Sequence, residues 1–156
     1  MNQDIRFAIH DLYADYVRCV DDTRYEEWPD FFTDDCLYRI VSRENYDAGL
    51  PMSSLALESK AMLKDRVYGV TRTIFHAPYL QRHIVGLPRI TGESSAGISV
   101  EANYLVIRTK LDAFSEVFNA GRYIDTVVSE DGRLKFRKRI CVFDSELVPN
   151  SLVYPI

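Results

Sequence analysis

Cysteine, histidine, tryptophan and glycine are all scarce in this chain, and each scarcity removes a class of function. Only three cysteines, three histidines, one tryptophan and seven glycines are spread over 156 residues. Cys19, Cys36 and Cys141 are far apart and odd in number, which argues against a disulfide framework and leaves buried free thiols as the plain reading. The glycines are dispersed, and neither "GRYIDTV" nor "GLPRITGESSAG" has the strand, loop and helix context of a dinucleotide site. No G-x-S-x-G elbow occurs. Apolar runs are too short to span a membrane, and the start "MNQDIRFAIHDLY" lacks the layout of a signal peptide, so a cytoplasmic protein is expected. Positive charge is not in excess either: the net charge is -4 with no basic face, which argues against nucleic acid as a partner.

What remains is globular composition, 47% hydrophobic and 27% charged, with ten tyrosines and eight phenylalanines. A chain of this length forms one domain, 1-156, burying roughly two-thirds of the surface its unfolded form exposes. Ile5, Ile9, Leu12, Tyr13, Tyr16, Val17 and Val20 recur at helical spacing and predict a first amphipathic helix. In "DDTRYEEWPDFFTDDC", Thr23 is expected to cap a short helix with Glu26 and Glu27 in its first turn. Pro29 would limit that helix and leave Trp28, Phe31 and Phe32 as a lid-like plug. "CLYRIVS" reads as a first strand, the stretch with Gly49 and Pro51 as a loop, and 57 to 73 as a third helix. Four strands follow near 79 to 91, 97 to 110, 114 to 128 and 133 to 146, the last two joined at Asp131-Gly132 by a tight hairpin turn. On the final strand Leu134, Phe136, Ile140 and Val142 are expected on one face and Lys135, Arg137 and Arg139 on a solvated opposite face. The layout is α+β, with helices packed on one face of a sheet.

Several strings in this order carry a family likeness. "YEEWPDFFTDDCLYRI", "MLKDRVYGV", "QRHIVGLPRI", "VFNAGRYIDTVV" and "LKFRKRICVFDSELVPNSLVYPI" together resemble the small (beta) subunits of Rieske-type aromatic-ring-hydroxylating dioxygenases, over nearly the whole chain. "NYDAGLP" and "VPNSLVYPI" look closest to the small subunits that serve aromatic acids, such as salicylate hydroxylases or terephthalate dioxygenases. The resemblance implies a cystatin-like cone fold, as in nuclear transport factor two, ketosteroid isomerase and scytalone dehydratase, with a long curved antiparallel sheet and three N-terminal helices. It also implies a large (alpha) subunit as partner, commonly three large plus three small chains. In that family the large subunit carries a Rieske two-iron two-sulfur cluster and a mononuclear iron. NADH is used through a reductase, sometimes with a ferredoxin, and the small subunit is structural.

The residues of this chain suit that division of labour. A Rieske centre takes two cysteines and two histidines, commonly in C-x-H and C-x-x-H pairs, and no cysteine here has a histidine at either offset. A mononuclear oxygenase iron takes two histidines and a carboxylate, yet His10, His76 and His83 have no motif spacing. No catalytic, cofactor-binding or metal-binding residue is therefore expected on this chain. The rival is a free-standing cone-fold enzyme of dehydratase or isomerase type, with a buried Asp or His as general base and tyrosines polarising a carbonyl, or a small-molecule-binding protein. Its candidates each have a plainer role. Asp21, Asp22, Asp34 and Asp35 suit helix ends and turns, Tyr104 and Tyr123 suit packing, and Arg82 with His83 suits structural hydrogen bonding or subunit contact.

Overall fold

The structure is a computed structural model that describes residues 3–145 and 152–156. Helix α1 (Gln3–Asp21) follows the predicted period: Ile9, Leu12, Tyr13, Tyr16 and Val20 are buried in the main core, and Ile5 and Val17 lie half-buried against it. Thr23 does not cap a helix. It takes a positive φ of 59°, and its backbone N–H donates to Val20 O, closing the end of α1. Only a 3-10 turn follows (Trp28–Phe31), in which Pro29 sits in the first turn, where its missing N–H costs nothing. Trp28 and Phe32 are fully buried, with Trp28 Nε1 donating to Tyr16 Oη at 3.2 Å, so the expected lid is a wall of the core.

Strand β1 (Phe32–Ser42) starts earlier than "CLYRIVS" suggested, and the following stretch holds a short helix α2 (Arg43–Asp47) capped by Ser42. Strand β2 (Leu55–Leu57) takes Leu57, the first residue expected in the third helix. That helix, α3 (Lys60–Tyr68), starts at a Ser59 cap and ends in a π-turn, Gly69–Thr73. The remaining strands are β3 (Tyr79–Val85), β4 (Arg89–Ser94), β5 (Gly97–Lys110), β6 (Glu116–Glu130) and β7 (Arg133–Phe143). Of the expected last strand, Glu146 lies outside the described residues. Asp131 and Gly132 both take positive φ, as a two-residue hairpin turn requires.

The seven strands form one sheet in the order β2-β1-β7-β6-β5-β3, with β4 also paired to β5. The sheet is mixed, because β1 runs parallel to β7 while the other pairs are antiparallel. Its inner face packs on α1 and α3 through the main core, and α2 covers part of the outer face through Tyr46 over Val41, Ile140 and Val142.

One irregularity in β7 decides what the interior contains. Thr126 pairs with Lys138 but Val127 pairs with Phe136, so Arg137 is an extra, bulged residue. A bulge shifts the two-residue alternation by one. Phe136 faces inward before it, whereas Arg139, Cys141 and Phe143 face inward after it. Arg139 is therefore not part of a solvated basic stripe; it is fully buried, and Ile140 and Val142 belong to the outer cluster.

Candidate functional site

Inside the fold buried polar side chains form two groups, the first built on sequence-predicted residues and the second not, and the tail packs on the same core. The first group joins α1 to β3. Asp21, the last residue of α1, reaches β3, where His83 N–H donates to its Oδ2 at 2.9 Å and His83 Nδ1 lies 2.6 Å from its Oδ1. Both side chains are buried, at 4% and 0% exposure. A carboxylate only accepts, so Nδ1 carries a proton toward Asp21, while Nε2 is buried and has no hydrogen-bond partner among the described residues. Asp21 therefore does not cap a helix; it ties the end of α1 to the inner face of β3. Arg82, on the outer face of β3, is exposed and approaches Asp21 only to 3.9 Å.

The second group was missed in the sequence. Arg139 Nη2 donates to Asp125 Oδ2 at 2.7 Å, Tyr13 Oη donates to the same carboxylate, and Arg139 and Asp125 side chains are fully buried. Four rings enclose the guanidinium: Phe136, Tyr16, Tyr123 and Tyr13 have centroids 3.8, 4.1, 4.2 and 4.8 Å from its Cζ. Burial is the largest single influence and acts against the charge on Arg139, but Asp125, Tyr16 and Tyr13 together hold the guanidinium pKa well above its ordinary value. On Asp125 itself burial outweighs Arg139 and raises the carboxyl pKa. The available signal was parity: Asp125 alternates with Tyr123 and Val127, both core residues. Tyr104 and Tyr123 stack at 4.4 Å, and Tyr104 Oη donates to Asn119 Oδ1 at 2.6 Å, so both serve packing.

The tail, Leu152 to Ile156, packs on the main core. Arg66 donates to the carbonyls of Leu152 and Val153 at 2.7 and 3.0 Å. The Tyr154 ring lies 5.0 Å from Tyr25 and 4.5 Å from Tyr79, with its hydroxyl 2.7 Å from His76 Nε2. Ile156 is fully buried, and its O accepts from Tyr16 Oη and Tyr38 Oη, each at 3.0 Å.

The other candidates are not brought together. Asp22 is exposed beside Arg18; Asp34 and Asp35 are exposed residues of β1, not of a turn; His10 is half-buried on α1. Among the described residues no three His, Cys, Asp or Glu side chains converge as a metal site requires, and all three cysteines are buried free thiols. Two open grooves lie on the outside. One is lined by α3 residues such as Lys64 and Val67, the other by α1 and the β6–β7 hairpin, and neither includes His83, Asp125 or Arg139.

Comparison with known proteins agrees with this architecture. Residues 4–140 match the SnoaL-like domain family. The anthranilate 1,2-dioxygenase small subunit of Burkholderia cepacia is 34% identical, over 96% of this chain and 93% of that one. The terephthalate 1,2-dioxygenase terminal oxygenase component subunit beta 1 of Comamonas sp is 33% identical, over 92% and 93%. Among solved structures, a Novosphingobium aromaticivorans chain assigned as the beta subunit of an aromatic-ring-hydroxylating dioxygenase superposes with a TM-score of 0.89 and 38% identity, over 99% and 98% of the two chains. A scytalone dehydratase-like chain from the same organism shares the fold at a TM-score of 0.69 and 22% identity. On its sequence and its cone fold together, this chain belongs to the small (beta) subunits of aromatic-ring-hydroxylating dioxygenases.

Proposed function

We propose that this chain is the structural subunit of a multicomponent oxygenase that hydroxylates an aromatic carboxylic acid, such as salicylate or terephthalate. Its task is to hold large subunits in register, in an assembly of three large and three small chains. The large subunit is the bearer of the Rieske cluster and the mononuclear iron, and NADH supplies electrons through a reductase, with or without a ferredoxin. No residue of this chain is assigned to catalysis, cofactor binding or metal. The complex works in the cytoplasm, where free thiols such as Cys19, Cys36 and Cys141 stay reduced. Anthranilate and terephthalate, the substrates named for two relatives, are both aromatic carboxylates, which supports the substrate class.

The observation that carries this reading is a filled interior. The interior of this chain is occupied by its own buried Arg139, Asp125, Tyr154 and Ile156. Two measurements test it. Co-expressed with its large subunit, the chain is expected to form a stable complex whose NADH-dependent hydroxylation needs both subunits. Alone, it is expected to purify without stoichiometric iron; a tightly bound iron per chain would overturn the reading.

One observation favours the rival. Asp21 and His83 have the geometry of a general-base pair, with Nε2 free. If the pair is structural, His83→Gln leaves turnover by the assembled complex within about twofold. The main loss is then stability, about 1.5–3 kcal/mol for a hydrogen bond to a buried charge. Turnover of a small carbonyl or hydroxylated compound by the isolated chain, abolished by His83→Gln, would establish the rival instead.

A further inference from the structure

The inner face of the sheet is filled, but half of its outer face is bare. On β3, Leu80, Arg82 and Ile84 alternate outward and are exposed, while Tyr79, Gln81 and His83 alternate inward and are buried. The register continues this surface sideways. Ile84 pairs with Leu105 of β5, and Arg82 pairs with Ile107, which in turn pairs with Val117 of β6. Leu105 and Ile107 are half-buried and Val117 is 61% exposed. At one end the β5–β6 connection adds Leu111 and Phe114, 88% and 98% exposed, and the pairing of Tyr79 with Lys110 sets that connection beside the start of β3. The bare region contrasts with the β1–β7 side, where α2 covers Ile140 and Val142.

We infer that this outer face of β3, β5 and β6 is the surface on which the large oxygenase subunit docks; the inference rests on the subunit role proposed above. Scattered exposed leucines are ordinary, but a contiguous apolar patch is not, because water gains by its removal and an uncovered patch drives association. Size is the first argument for a large protein partner. Leu80, Ile84, Leu111, Phe114 and Val117 are each more than half exposed, and a surface of several large apolar side chains is what one partner gives to a standard specific interface of about 800 Å² a side. The second argument is charge. Arg82 stands 71% exposed on β3 between Leu80 and Ile84, with its Nη1 3.9 Å from Asp21. In a two-fold pairing of this face with its own copy, each Arg82 would be set against the other or against the same apolar surface. A different chain can offer a carboxylate or an aromatic face there, so the arrangement favours a heterologous partner. β3 also ends the sheet, which leaves its free edge available beside the patch.

The test is co-purification of the full chain with its large subunit. Wild type is expected to co-elute, Leu80→Asp and Phe114→Asp each to weaken binding by at least tenfold, and the double variant to abolish co-elution. Central apolar anchors carry most of an interface's energy, which is why single charges suffice. Phe114 is 98% exposed, so its variant keeps the wild-type urea midpoint even if Leu80→Asp loses some stability. Phe7→Asp, on the exposed side of α1, serves as the control that binds normally. A double variant that binds like wild type overturns the assignment of this face. An isolated chain that dimerises through the patch, with Leu80→Asp giving monomers and the large subunit binding unchanged, overturns it in favour of a second copy. Failure of wild type itself to bind the large subunit overturns the subunit role, and this face with it.

Discussion

Arg139→Met is expected to cost about 3–5 kcal/mol of stability, the range for stranding one partner of a buried ion pair. The guanidinium holds the Asp125 carboxylate through Nη2 at 2.7 Å and Nε at 3.2 Å, in a place where neither side chain meets water. Removing it leaves Asp125 with the Tyr13 hydroxyl as its one hydrogen-bond partner among the described residues, inside a box of rings that cannot solvate a charge. Asp125→Asn strands the cation instead and is expected to cost a similar amount, softened by the faces of Phe136, Tyr16 and Tyr123. A domain of this kind has roughly 5–15 kcal/mol in total, so either single change takes a large share. The double variant Arg139→Met/Asp125→Leu removes both charges and is expected to recover most of the loss, since an apolar replacement of a buried pair is often close to neutral. Urea unfolding of the four proteins in a double-mutant cycle checks this. A double variant as unstable as the sum of the singles would show that the two residues act independently.

That pair also marks where the sequence stopped being readable. Periodicity located α1 and the hairpin at Asp131-Gly132 because both follow from local rules: one apolar face per 3.6 residues, and two consecutive positive φ angles. The likeness of whole strings to a family gave the cone and the subunit role. What local rules could not give was the inward turn of Arg139. The bulge at Arg137 arises from pairing with β6, a partner seen only in three dimensions, and it inverts the parity of every later residue. Asp21 was misread for a related reason. At the end of a helix it looks like a residue for local backbone groups, and its actual partner, His83, is 62 positions away in sequence. The tail is the third case, because Tyr154 and Ile156 look like any short apolar terminus until their place beneath Tyr25 and Tyr38 is seen.

The second large effect is alkaline. Stability is expected to hold to about pH 8, to fall from about pH 9, and to be exhausted before pH 12. Burial pushes the phenol pKa of Tyr13, Tyr16, Tyr25, Tyr38, Tyr104 and Tyr123 well above the ordinary value. Burial likewise pushes the Cys141 thiol up to about 12 and the Cys19 and Cys36 thiols up to about 11. In the unfolded chain the thiols lose their protons near about pH 8.5 and the phenols near about pH 10. The sign follows: above those values the unfolded chain binds fewer protons than the folded one, so raising the pH favours unfolding. Each group contributes about 1.4 kcal/mol per pH unit until its own folded pKa is reached. Three thiols and six phenols acting together exceed a total stability of roughly 5–15 kcal/mol within two or three units. The loss should also be cooperative, because none of the six phenols can ionise while it remains packed, Tyr25 against Tyr154 and the others among their core neighbours and Ile156. Tyrosinate absorbance from these six is therefore expected to rise in one step that coincides with the loss of far-ultraviolet circular dichroism. Gradual ionisation with the dichroism retained would show that the interior admits charge and water, which a filled, structural cone does not.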